Sequence, residues 1–237
     1  MATLHVLRVF CDEAGANGNP LGVFLDGAEV PADRRQAVAH DLGFSETVFV
    51  DDRASAAMRI FTPGLELPFA GHPSVGTAWL LAREGSAPAA LHPPAGEVAV
   101  RRQGEGEGEG ESEGEGLLTF VSARAEWSPP WELIEYDDPD EVAALDGPPG
   151  GREDEIYLWA WEDEAAGLVR SRCYSLADGV GEDEATGSAA IMLAAATGRE
   201  LEIRQGEGSL LRARPLGDGW AEVGGACALD EVRDYEL

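Results

Sequence analysis

The residues of this chain best placed to do chemistry are a histidine that follows a glycine at one helix opening and an acid just ahead of another. The first opening is Phe69-Ala70-Gly71-His72-Pro73-Ser74-Val75-Gly76-Thr77, running into WLLA. The second is Asp183-Glu184-Ala185-Thr186-Gly187-Ser188-Ala189-Ala190, running into IMLAAA. They read as copies of each other, 116 positions apart, about half the chain. In each, the Gly lets the backbone approach a ligand closely. The next residue carries a polar side chain (His72, Ser188), and small residues then open the helix. Backbone N–H groups at a helix start, with the positive end of the helix dipole behind them, suit an anion such as a carboxylate. Two such starts facing each other across a pseudo-twofold would make one site for a small anionic substrate. Gly71, His72, Gly187 and Ser188 would be its binding residues.

Three side chains could move protons there. A lone His is most often structural, but His72 follows Gly71 at a helix start, whose dipole favours the neutral imidazole. Glu46, in GFSETVFV, would ordinarily be solvent-exposed; turned into an apolar crevice it becomes a candidate general acid/base. Asp183 has the spacing of an acid that compensates the dipole and caps the second helix. Its functional alternative is to orient His72 or to bind a substrate amine. Cys11, Cys173 and Cys227 have no CxxC or metal-ligand spacing and read as reduced, buried thiols of a cytoplasmic protein, with no metal site.

The elements that must position these residues form two similar runs. In the first, Leu4–Phe10 and Pro20–Leu25 read as strands, Pro31–Leu42 as a helix capped by Gly43, and Thr47–Val50 and Ala57–Phe61 as strands. The first glycine-led helix runs to about Glu84, followed by strands near Glu97–Arg101 and Leu117–Val121. In the second run, Pro139–Leu145 reads as a short helix, and Ile156–Trp161 and Leu168–Tyr174 as strands. The second glycine-led helix runs to Thr197 with Gly198 as its cap, and strands follow at 201–204, 210–214 and 220–223. The expected fold is α+β: two similar lobes, residues 1–116 and 117–237, each a curved mixed sheet around a central helix, with the ligand crevice between them. The stretch Gly104–Gly116 (GEGEGEGESEGEG) is self-repelling, has nothing to bury, and reads as a solvated insertion, a disordered or splayed hairpin loop.

The formal net charge is −28, all 17 basic residues are Arg, and the apolar fraction of 44% can support real cores. That acidity argues against nucleic acid and against anionic membranes as partners. No apolar run approaches the roughly 18 residues of a membrane span. An anionic ligand must therefore be held by a local device, which favours the helix starts.

Four strings in order, GNPLGVFLDG, GFSETVFV, RIFTPGLELPFAGHPSVGTA and GEDEATGSAA, resemble the PhzF-like phenazine-biosynthesis family, whose fold is diaminopimelate-epimerase-like. The closing RQGEGSLLRARPLGDG is similar to that family's last strands. The resemblance implies a catalytic acid/base at Glu46, a substrate-contacting turn at Gly71 and His72, a polar partner at Asp183, and a second anion cradle at Gly187 and Ser188. Related epimerases carry two cysteines before the two turns; the corresponding positions here are Ala70 and Thr186, so two-thiol racemisation is not available. A one-base proton shift on a small carboxylate-bearing substrate, with no metal or organic cofactor, is what the resemblance implies. A non-catalytic, ligand-binding or interacting member of the same fold is the alternative. The resemblance also implies a homodimer, as does PLGVFL if it forms an edge strand that needs covering. The second turn departs from the family in lacking a proline after the acid, and the second half is short for the family.

Overall fold

The computed structural model describes residues 1–104, 117–152, 154–176 and 181–237. Of the biased stretch, Gly104 ends a strand and residues 105–116 lie outside the described residues. The first half supplies β1 (Ala2–Cys11), β2 (Asn19–Phe24), α1 (Arg35–Leu42), β3 (Glu46–Asp52), β4 (Ala57–Phe61), β5 (Glu66–Leu67), α2 (Gly71–Arg83), β6 (Ala90–Leu91) and β7 (Val98–Gly104). The second supplies β8 (Leu117–Arg124), β9 (Glu132–Glu135), α3 (Pro139–Ala143), β10 (Glu155–Asp163), β11 (Leu168–Ser175), β12 (Gly181–Asp183), α4 (Gly187–Thr197), β13 (Leu201–Gln205), β14 (Ser209–Gly217) and β15 (Trp220–Tyr235). Among the described residues no helix is long and apolar enough to cross a membrane.

Each lobe is organised by one buried helix. Every residue of α2 from Gly71 to Leu81 is buried, as an apolar helix without a polar face must be. Its wall is a ring of strands in the order β4-β3-β2-β1-β15-β8-β7-β6, in which β2 and β3 are parallel and the other neighbours antiparallel. A parallel bridge between Ala57 and His92 ties β4 back beside β6 and closes the ring. The second buried helix, α4, packs on β14 and β15. From there the sheet continues through β13, β11 and β10 to β9. This is the expected α+β architecture of two helix-centred lobes.

Three details depart from the sequence expectation. β2 lies between β1 and β3, so PLGVFL has no free edge, and that reason for a dimer falls away. β8 follows Gly116 in sequence yet packs against α2, as does β15. The last strand does not stop at Val223. It pairs with β14 and β8 through residues 220–225, then runs on to Tyr235 against β1. Its outer half is mostly exposed and mixes charged with apolar residues, so it lacks the alternation that marks a half-buried strand.

Candidate active site

The starts of α2 and α4 meet head to head. A methyl group built on Gly71 would sit 2.6 Å from the Gly187 carbonyl carbon, and one on Gly187 would sit 2.8 Å from the His72 nitrogen. Only glycine permits this approach. At each helix start the first N–H groups have no acceptor within the helix. Neither N-cap residue, Ala70 or Thr186, supplies a side-chain cap. Two positive dipole ends thus converge on one place, an arrangement that requires negative charge between them.

Glu46, at the first position of β3, is mostly buried, and its Oε2 lies 3.0 Å from Nδ1 of His72, the second residue of α2. The contact has ion-pair length without hydrogen-bond alignment: Glu46 Oε2 and the buried His72 Nε2 have no hydrogen-bond partner among the described residues. Pro73 costs the helix nothing at its first turn, where its missing N–H would be unpaired anyway. Ser74 Oγ binds back to the Ala70 carbonyl at 2.7 Å, which secures the turn that carries His72.

Asp183 reaches the crevice from the end of β12, on the other lobe. It does not cap α4, nor does it hydrogen-bond His72. Its Oδ1 accepts from Asn19 Nδ2 and its Oδ2 from Thr186 Oγ1, both at 2.6 Å. Burial, reinforced by the Glu46 carboxylate, pushes its carboxyl up to about 7, against the pull of His72 and of those two hydrogen bonds. Unfolded, Asp183 titrates near 3.9, so between about 4 and 7 the folded state holds more protons and stability falls as pH rises. We expect thermal unfolding of the protein to show this loss between pH 4 and 7, and Asp183→Asn to lack that component; identical pH profiles for the two proteins would refute the assignment.

Ser188 Oγ accepts from Trp131 Nε1 at 3.0 Å, and the Ser188 carbonyl from Ser128 Oγ at 3.1 Å, so the segment ahead of β9 covers the start of α4. The crevice lined by Glu46, Gly71, His72, Asp183, Gly187, Ser188 and Trp131 holds about 20 Å³ of free volume. That is room for one water-sized group.

The six site residues named from sequence thus line one crevice. Sequence reasoning passed over Asn19, Ser45, whose Oγ donates to Asn19 Oδ1 at 3.1 Å, Trp131, and Gln205, whose Nε2 donates to the Asp183 carbonyl. Asn19 stands within GNPLG, and that string was the available signal; nothing local marks Trp131 or Gln205. Ala70 and Thr186 line the crevice at the positions implied for catalytic thiols. Cys11 and Cys227 lie on the β1–β15 ladder, and Cys173 sits opposite Asp183 on β11. Burial pushes all three thiols up, away from the reactive thiolate. Replacing each cysteine by Ala is expected to leave proton exchange on substrate unchanged; loss of exchange on thiol alkylation would point to a thiol base instead.

Two helix-centred lobes facing each other across one crevice define a diaminopimelate-epimerase-like fold. A solved PhzF-family phenazine biosynthesis protein of Bacillus anthracis superimposes over 100% of this chain and 99% of its own, with a TM-score of 0.78 at 18% identity. The family described as phenazine biosynthesis-like protein matches residues 7–117. The trans-2,3-dihydro-3-hydroxyanthranilate isomerase of Pseudomonas aeruginosa is 33% identical over 233 residues, 85% of this chain and 82% of that enzyme. An uncharacterized isomerase of Pasteurella multocida is 41% identical over 88 residues, 35% of this chain and 30% of that protein. The chain belongs to the PhzF family of isomerases.

Proposed function

We propose that this protein isomerises a small carboxylate-bearing ring substrate by moving a proton along one of its faces, without metal or organic cofactor. The observation that carries this is the Glu46–His72 contact of 3.0 Å beside two abutting helix starts. The N–H groups around Gly71 and Gly187 take the substrate carboxylate, which offsets the two dipole ends. Glu46 as carboxylate removes a proton from a ring carbon, and the electron pair passes into the adjacent unsaturated system. Glu46, now the acid, returns the proton to another carbon, so atoms and charge balance over the cycle. His72 lies against the Glu46 carboxyl, and Asp183, its carboxyl raised to about 7, takes a proton from an ionisable group of the substrate on binding and returns it on release. The substrate of the Pseudomonas aeruginosa relative, trans-2,3-dihydro-3-hydroxyanthranilate, is a compound of this class.

The test is a panel of cyclic and amino-acid carboxylates, that compound included, incubated with the protein in deuterated buffer. Carbon-bound deuterium supports the isomerase. Tight binding with no incorporation across the panel supports the non-catalytic alternative.

A further inference from the structure

Thr186 stands at the N-cap of α4, where a threonine hydroxyl ordinarily accepts from an N–H of the first turn, yet it makes no such bond. Its Oγ1 donates instead to Asp183 Oδ2. That direction is fixed from behind by Gln205, which is fully buried at the end of β13. Gln205 Nε2 donates to Thr186 Oγ1 and to the Asp183 main-chain carbonyl, both at 2.8 Å. Its Oε1 accepts the Thr186 N–H at 3.1 Å. The orientation of the amide is not free: a backbone N–H can only donate and a carbonyl can only accept, so Oε1 and Nε2 are each assigned by their neighbours. A hydroxyl owns one proton. With a Gln205 N–H occupying an Oγ1 lone pair, that proton goes to the Asp183 carboxylate, a stronger acceptor than the Cys173 thiol that also meets Thr186.

We propose that Gln205 is a positioning residue for Asp183: by aiming the Thr186 hydroxyl proton at the carboxylate, it sets how readily Asp183 takes up a proton during turnover. This rests on the assignment of Asp183 to the proton-handling site. Glu46 from β3 and His72 from α2 act on Asp183 with opposite signs, while Cys173 on β11 and Tyr157 on β10 face it as buried neutral groups. Against that fixed background, the Thr186 hydroxyl and the Asn19 amide are the two side-chain donors to its charged form.

The test is a ¹³C-carboxyl NMR titration of Asp183 in the full chain, which needs no turnover and so stands even where the deuterium assay fails. Losing one donor to the carboxylate disfavours the charged form. Thr186→Val, which removes that donor, is expected to move the Asp183 midpoint up by about one pH unit, and Gln205→Met and Gln205→Leu, which leave the hydroxyl free to turn away, are expected to move it in the same direction by up to that amount. Thr186→Ser, which keeps the hydroxyl, is expected to titrate like the wild type. Where exchange is active, the acidic limb of its pH profile should move by the same amount. A midpoint unmoved in both Gln205 variants, with Thr186→Val shifted, overturns the proposal. So does failure of both Gln205 variants to fold, which would assign Gln205 to the stability of the turn alone.

Discussion

Glu46→Gln is expected to bind substrate nearly as the wild type does while proton exchange falls by about 10²–10⁴-fold, the range of a lost general acid/base. Glutamine preserves the length of the side chain and an oxygen to face His72 Nδ1, which lies 3.0 Å from Glu46 Oε2. It removes the group that titrates. The helix starts that take the carboxylate are untouched, so calorimetric affinity and exchange rate should separate. Exchange that survives in Glu46→Gln, or an affinity that collapses along with the rate, would move the proton-transfer role to another residue, with Asp183 next in line.

Gly71→Ala and Gly187→Ala are expected to cost about a hundredfold in exchange rate and about 1–3 kcal/mol in stability, read by thermal unfolding. The added methyl would meet backbone, not a flexible side chain, at 2.6 Å in one case and 2.8 Å in the other. Carbon contacts are comfortable only from about 3.5 Å, so the two helix starts must part by most of an ångström. That displacement falls on the residues that would grip the carboxylate and hold His72 against Glu46. Both substitutions break one contact from its two sides. The double variant should therefore lose much less than the sum of the singles. Full activity in either single variant would show that the crevice works with the lobes apart.

The repeated glycine-led turns made the two helix starts legible, because small residues, a polar neighbour and an apolar run must coincide there for local reasons. The helix-centred lobes followed from the same repeat. Glu46 was a conditional candidate from the residues alone and became specific only through the family resemblance, since a Glu at the start of a strand carries no mark of the side to which it turns. Gln205 was not legible at all: its partners Asp183 and Thr186 lie about twenty positions earlier, and only the packing of β13 against β11 brings them together. Trp131 was hidden for the same reason, as it meets Ser188 from 57 positions away. The outer half of β15 was missed because it is held by its ladder to β1 and buries few side chains.

That ladder sets Ala2 opposite Tyr235 and Val9 opposite Cys227. β1 thus waits for β15, more than two hundred positions later, before its pairing is complete. Until then the ring around α2 stands open, and the apolar surface of that helix lacks part of its wall. Contacts that span nearly the whole chain are the slowest to form, because loop-closure entropy is lost before they return any stability. The first lobe cannot mature as a separate domain during synthesis, and its core stays unfinished until β15 arrives.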